Sequence, residues 1–256
     1  MSGSGYDMDA TIFSPEGRIF QVEYASKAVA DASTCIGVNC KDGVVVAVEK
    51  TLNSPFIMDG SNKHINILSK HIGAVFGGYI PDGRYAIDRA RDHCRQFQEN
   101  FGEEITPKVL AESMGQFVHQ FTCFGGYRPL GINVLFAGYD NRDKKYHLYR
   151  ITPSGQCYCH FAESIGKGRQ SCKADIEKHN LMDLTVEEAL PIIAKMLCEL
   201  HTESKKPYEL EFGYASDATD HAFIRVDNPK RDELVRNAVS AIRAEETGPE
   251  EGMEVE

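Results

Sequence analysis

The pattern of apolar and polar positions along the chain predicts strands and helices that alternate in groups. An Asp42-Gly43 turn between two β-branched runs is a strong signal for a hairpin, here over 34–38 and 44–48. Further strands are expected at 64–68, 71–76, 132–139, 146–151, 156–160, 208–214 and 222–226. One helix is expected from an apolar face that consists of Ile87, Ala90, Cys94, Phe97 and Phe101. Further helices are expected from Thr106-Pro107, after Gly166, from Thr185 and from Asn228-Pro229. This order favours two sheets packed face to face with helices on the outer sides.

The first thirty residues carry a pattern of their own. Residues 1–13 lack a sustained period, so we expect an extended, mobile segment, and Ser14-Pro15-Glu16-Gly17 is a turn sequence. A helix is expected over 18–31, because its apolar residues recur at three- and four-residue spacing on one face. A helix of this length is marginally stable alone. Its apolar face therefore indicates docking onto another subunit.

Composition narrows the class of protein. The chain has 28 Lys and Arg against 38 Asp and Glu, a net charge of −10, which argues against a nucleic-acid partner. No apolar run approaches the ~20 residues of a membrane span, and no leader resembles a signal peptide. The eight cysteines are scattered through apolar patterns, which fits buried thiols in a reducing, intracellular compartment better than a disulfide framework.

The end of the chain differs from the rest. Residues 245–256 read EETGPEEGMEVE, with six glutamates and no Lys or Arg. Such a segment buries too little apolar surface to offset the entropy of ordering it, so we expect a disordered acidic tail. A docking site for basic partners is the alternative interpretation. Nothing before this tail marks an internal boundary, which predicts one domain over 1–244.

Several motifs resemble those of a known family. A Tyr6-Asp7 pair followed by SPEGRIFQVEYA at 14–25 resembles the N-terminal signature of proteasome alpha subunits, and KDGVVVAVEK at 41–50, RPLG at 128–131 and IGKG at 165–168 agree. The resemblance implies an α+β fold, the four-layer αββα sandwich of N-terminal-nucleophile hydrolases, with an extra N-terminal helix. It also implies neighbouring alpha subunits, beta-ring subunits and a regulatory particle or other activator as partners, no cofactor, and a place in the cytoplasm and nucleus.

The resemblance also bears on catalysis. Catalytic members of that fold use an N-terminal threonine whose own α-amine activates its hydroxyl. Here Ser33-Thr34 falls at that position inside the chain, where the adjacent nitrogen is an amide and is not basic. An acidic residue survives as Glu49, whereas His64 and Lys167 replace the lysine and serine of the catalytic relatives. We therefore expect a non-catalytic subunit with no catalytic residues.

Two other functions stay open from the sequence. The first is an active amidohydrolase that cleaves itself before Ser33 or Thr34, and the second is a free-standing homo-oligomeric binding protein. Weaker patterns include Gly166-Lys167-Gly168 as a phosphate loop, Cys157 and Cys159 with His160 as a metal site, and His119 with Cys123 one helical turn apart. We interpret all three as packing, so no metal site is predicted.

The resemblance assigns gating residues. The gate-stabilising cluster of the family corresponds to Tyr6, Asp7, Pro15 and Tyr24, while Met8 stands where the family often has arginine. The lysine that binds the C-terminal carboxylate of a docked activator corresponds to His64, with Lys63 beside it. Histidine is mostly uncharged at pH 7. We therefore expect a pocket that binds activator tails weakly unless Lys63 reaches it.

Overall fold

The N-terminal residues fold back on themselves before the first helix. The computed structural model describes residues 5–52, 54, 56–58, 60–201 and 207–247. Residues 6–11 form turns rather than the extended conformation we expected, and Ala10 is buried. The turn predicted at Ser14 is present, because Gly17 adopts a φ of 76° and its N–H donates to the Ser14 carbonyl at 2.8 Å. Glycine tolerates this left-handed conformation at no steric cost.

Six α-helices occur in the described residues. Those predicted at Thr106-Pro107, Thr185 and Asn228-Pro229 begin there, whereas the second begins at Ile80, seven residues before Ile87, the first residue of its predicted apolar face. They are α1 Phe20–Ala30, α2 Ile80–Phe101, α3 Pro107–Cys123, α4 Arg169–His179, α5 Val186–Glu199 and α6 Asn228–Thr247. The Thr106 hydroxyl accepts from Val109 N–H at the start of α3, and Thr185 forms a capping box with Glu188 at the start of α5. Helix α6 runs three residues into the predicted acidic tail, whose remainder, 248–256, lies outside the described residues.

Ten strands form two antiparallel five-stranded sheets in the described part of the chain. The strands are β1 Cys35–Asn39, β2 Gly43–Thr51, β3 Ile65–Ile67, β4 Ile72–Gly78, β5 Ile132–Asp140, β6 Lys145–Ile151, β7 Cys157–His160, β8 Ala162–Ile165, β9 Tyr208–Ser216 and β10 Phe223–Arg225. The order of the first sheet is β10-β9-β2-β1-β8, and that of the second is β3-β4-β5-β6-β7. The predicted hairpin is present, with Cys35 opposite Val48 and Asn39 opposite Val44.

Three apolar clusters hold four layers together. The first lies between the first sheet and α4 to α6, and the second lies between the second sheet and α2 with α3. The third fills the space between the sheets, where Val46 and Val48 of β2 meet Val75, Leu135 and Leu148 of the second sheet. Both faces of β2 are therefore buried, as its unbroken β-branched run predicts. The predicted α+β αββα sandwich is confirmed.

Helix α1 contacts β4 and β5 and is only partly buried within one chain. It starts at Phe20, two residues later than predicted, because Ile19 has an extended backbone with a φ of −110° and a ψ of 97°. Within it, Val29 is buried, whereas Tyr24 is 50% exposed. Part of the apolar face is thus left uncovered within one chain, as a helix that docks on a neighbour requires.

Two local expectations were wrong. Strand β8 was not predicted, because Glu163 and Ser164 make its four residues look polar, yet both side chains are buried. Arg150 and Lys173 neutralise Glu163 at 2.9 and 2.7 Å, and these ion pairs allow the carboxylate to be buried. Phe101, which we expected on the buried face of α2, is 67% exposed at the end of that helix.

Candidate functional site

Ser33-Thr34, where the sequence places the nucleophile of the catalytic relatives, lies directly before β1. Thr34 is buried, and its nitrogen is a peptide amide within the chain. Its hydroxyl oxygen accepts a hydrogen bond from Gly168 N–H at 3.0 Å, so the glycine-rich turn before α4 holds the side chain in place. A peptide nitrogen has no lone pair available as a base. The site therefore lacks the group that would activate this hydroxyl.

Glu49, the acidic residue shared with the catalytic relatives, has a hydrogen-bond partner that the sequence did not reveal. The Nε2–H of His201 donates to Glu49 at 2.7 Å, and both side chains are buried. The His201 ring in turn stacks on Tyr208, with ring centroids 4.0 Å apart. Glu49 is thus held by His201, the second residue after α5, whose ring packs against Tyr208 of β9. This arrangement supports a structural role for Glu49.

A cavity of about 620 Å³ lies beside Ser33, and the residues that precede Thr34 form part of its lining. Its lining includes Asp31, Ala32, Ser33, Glu49, His64, Arg84 and Lys167. The Ala32 carbonyl accepts from Lys167 N–H at 3.0 Å. At Gly166, with a φ of 92°, an added Cβ would lie 2.2 Å from the Ser33 carbonyl oxygen. The segment before Thr34 is therefore fitted against the glycine-rich turn.

The two residues of the expected activator pocket lie in different environments. His64 is 2% exposed, stacks on Phe76 and donates from Nδ1 to the Phe76 carbonyl at 3.2 Å. Burial lowers the pKa of His64 below its ordinary value despite the nearby Glu211 carboxylate, so the ring is neutral at pH 7. Lys63 is exposed and lines a different cavity, together with Glu211. The structure does not bring these two side chains together.

The four residues of the expected gate cluster lie at the surface around the start of the chain. Tyr6 is 37% exposed, Asp7 is half-buried, Pro15 is exposed and Tyr24 is 50% exposed. The Gln21 side-chain amide of α1 donates to the backbone carbonyl of Asp7, which ties the segment to the helix. Two tyrosine rings are therefore available for contacts outside the chain.

Two family models match consecutive parts of the sequence. The model for the N-terminal signature of A-type proteasome subunits matches residues 6–28, and the general model for proteasome subunits matches residues 29–214. The chain belongs to the proteasome alpha-subunit family. It is accordingly a structural and gating component of the 20S core and a non-catalytic member of that threonine-protease complex.

Individual relatives agree over nearly the full length of this alpha-type chain. The alpha type-3 proteasome subunit of Oryza sativa subsp. japonica is 40% identical, over 88% of this chain and 90% of the relative. The protein of the same name from Arabidopsis thaliana is 38% identical, over 94% and 95%. That from Drosophila melanogaster is 35% identical, over 85% of both chains. Within the family, the chain is thus similar to type-3 subunits.

The RPLG motif of this alpha-type chain forms a clamp that sequence reasoning missed. Arg128 donates to both carboxylate oxygens of Asp82, at 2.6 and 2.8 Å, and Gly131 N–H donates to the same carboxylate at 3.0 Å. The guanidinium lies 5.6 Å from the Tyr79 ring centroid. Because Asp82 sits in the first turn of α2, the motif joins that helix to the segment that enters β5.

One cluster of side chains has the arrangement of a possible metal site. In the described ranges, one group of possible ligands occurs: Asp140, Asp143 and His147. Both carboxylates already accept backbone N–H groups of the β5–β6 turn, at 2.8 and 3.0 Å. The cysteine pair around Tyr158 is not part of this group. None of the described helices has the length and apolar character that a membrane-crossing helix requires.

Proposed function

We propose that this chain is a non-catalytic wall and gate subunit in the outer ring of the 20S proteasome. Its lateral partners are other alpha subunits, at the seventh ring position that type-3 subunits take, and beta-ring subunits lie beneath it. The observation that carries the proposal is the amide nitrogen of Thr34, which follows residues 31–33 in the lining of the adjacent cavity, where Ala32 accepts from Lys167 N–H. The alternative, a hydrolase processed before Ser33 or Thr34, would first have to release Ala32 and Ser33 from their close contact with the glycine-rich turn. The protein works in the cytoplasm and nucleus.

Purification of the endogenous complex through this chain tests that assignment. We expect a particle that contains other alpha subunits and beta subunits, identified by mass spectrometry. A particle built only from copies of this chain would instead support the homo-oligomeric binding protein.

We propose further that Tyr6, Asp7, Pro15 and Tyr24 stabilise one state of the gate. Tyr24 and Pro15 offer an exposed apolar surface, and the half-buried Asp7 carboxylate can accept from a tyrosine hydroxyl of a neighbour. Each contact of this kind contributes about 1–3 kcal/mol, which is small enough for a gate that switches.

The gate proposal is tested by Tyr6→Ala and Asp7→Ala in assembled particles. Both are expected to change the hydrolysis rate of a fluorogenic peptide, with and without a docked activator. Met8→Ala is the matched control, because Met8 lies in the same segment, is 83% exposed and is outside the cluster. Equal rates in all four particles would refute the assignment.

Because His64 is neutral, the adjoining pocket should bind the C-terminal tail of an activator weakly. A buried uncharged ring cannot form an ion pair with the C-terminal carboxylate of an activator. An ion pair would add about 1–3 kcal/mol to the binding free energy, which is roughly a 5–150-fold increase in the affinity for the tail. His64→Lys is therefore expected to increase occupancy of this pocket by an activator tail, whereas Lys63→Ala is expected to have little effect. A cryo-EM map of the unsubstituted particle with an ordered tail carboxylate against His64 at neutral pH would contradict this proposal.

A further inference from the structure

The last turn of α3 places an exposed thiol beside an imidazole. Cys123 is the final residue of the helix, and its sulfur lies 3.2 Å from Nε2 of His119. Both residues are exposed, so the pair is not explained by the packing that we expected from the apolar face of α3. That expectation was wrong for Cys123, which points away from the apolar cluster.

The surroundings of His119 fix which nitrogen carries the proton. Nδ1 lies 3.2 Å from the Ser154 carbonyl oxygen, which can only accept a hydrogen bond. The Thr122 hydroxyl oxygen also lies 3.1 Å from Nδ1, but its hydrogen is donated to the His119 carbonyl at 2.7 Å. Nδ1 therefore bears the hydrogen in the neutral ring, and Nε2 presents its lone pair to the thiol. The loop after β6 approaches closely because Gly155 has a φ of 84°, and a Cβ there would lie 2.6 Å from the Cβ of His119. The imidazole is thus held in a defined orientation.

The other cysteines are less suited to react. Burial raises the pKa of Cys94 to about 12 and that of Cys172 to about 11, which keeps both thiols protonated. Cys159 is also exposed, but its sulfur lies 3.9 Å from Nδ1 of His147. Cys159 therefore serves as the reference for the reactivity of Cys123, because it is also exposed but lies farther from its histidine.

We propose that Cys123 is a nucleophilic thiol with His119 as its general base, and that it is a modification site for small disulfides and other soft electrophiles. His119 Nε2 takes the thiol proton, and the sulfur attacks one sulfur of a low-molecular-weight disulfide. The S–S bond of the disulfide breaks as the new S–S bond forms. The departing thiolate takes the proton back from the imidazolium, which leaves a mixed disulfide on Cys123 and one free thiol.

The proposal is tested by alkylation of intact particles that contain this chain. Iodoacetamide serves as the probe, because the same thiolate displaces iodide from carbon, and labelling of each cysteine is followed over time by peptide mass spectrometry. Cys123 is expected to react faster than the other seven cysteines of the chain. His119→Asn keeps a donor towards Ser154 but removes the base, so it should slow labelling of Cys123 by about tenfold.

Two comparisons keep the proposal falsifiable. His147→Asn is the matched control and should leave the rate at Cys123 unchanged. The ratio of the Cys123 and Cys159 rates in the unsubstituted particle needs no variant, so it holds even if a substitution disturbs assembly. The proposal is overturned if Cys123 reacts no faster than Cys159, or if His119→Asn leaves its rate unchanged.

Discussion

The clamp between Asp82 and Arg128 gives a quantitative test of how the RPLG motif supports the fold. Asp82→Asn keeps the size of the side chain but removes its charge and replaces one acceptor oxygen with a donor. The remaining oxygen can accept from both Gly131 and one guanidinium nitrogen, as Oδ2 of Asp82 does, but it cannot reproduce the two-pronged contact of 2.6 and 2.8 Å. The substitution therefore removes at least one charge-assisted hydrogen bond from a carboxylate that is only 9% exposed.

The magnitude follows from the burial of the two partners. A hydrogen bond to a charged group contributes about 1.5–3 kcal/mol to stability. Arg128 is 58% exposed, and water can satisfy its freed N–H groups, which places the expected loss near the middle of that range. We expect Asp82→Asn to lower the free energy of unfolding by about 2 kcal/mol. Asp88→Asn is the control, because its ion pair with Arg91 is exposed on α2 and exposed pairs contribute about 0–1 kcal/mol.

Urea unfolding of the full chain, followed by far-ultraviolet circular dichroism, measures both losses. The effect should also depend on pH. Burial tends to raise the pKa of Asp82, but the hydrogen bonds from Arg128 and Gly131 outweigh it and hold the pKa below the ordinary value of 3.8. A lowered carboxyl pKa gives stability that is complete above the unfolded value and is lost as pH falls through the folded value.

The stability difference between the original chain and Asp82→Asn should thus be constant above about pH 5 and shrink as the pH falls below about 4. Equal unfolding free energies at pH 7 for the original chain and Asp82→Asn would refute the clamp. So would a loss at Asp88→Asn as large as that at Asp82→Asn.

Two further substitutions test other parts of the fold. Lys50→Met should lower the free energy of unfolding by about 3–5 kcal/mol, because Lys50 is 2% exposed and the buried charges of Glu209 and Glu211 would lose it as a partner. Chemical unfolding measures this loss, and a loss below about 1 kcal/mol would contradict the argument. Gly166→Ala should lower the free energy of unfolding by more than about 2 kcal/mol, whereas Gly102→Ala should lower it by about 1 kcal/mol or less, because Gly102 also has a positive φ but has open space around it. Equal losses would show that the close approach of Gly166 to the Ser33 backbone is unimportant.

The layers could be predicted from the sequence because each element carries its own local signal. The Asp42-Gly43 turn, the β-branched run of β2 and the capping box at Thr185 act within a few residues, and all three are present. Strand β8 could not be predicted in this way. Its polar residue Glu163 is buried only because Arg150 and Lys173 reach it from other elements.

The site depends on contacts between distant parts of the chain, which is why sequence reasoning found only part of it. The position of Thr34 and the loss of its basic nitrogen could be inferred from the order of residues alone. The pairing of Glu49 with His201 spans 152 residues, and no local pattern indicates it. The exposure of Cys123 was also missed, because a cysteine on an apolar helical pattern is usually buried.

The mature form of this chain in purified particles tests the central claim most directly. Intact mass measurement should be combined with mapping of adducts after treatment with a covalent inhibitor of N-terminal threonines. We predict that the chain keeps the residues before Thr34 and that Thr34 carries no inhibitor, while the catalytic beta subunits of the same particle are modified. A mature form that begins at Ser33 or Thr34, with the inhibitor on its side-chain oxygen, would contradict the account.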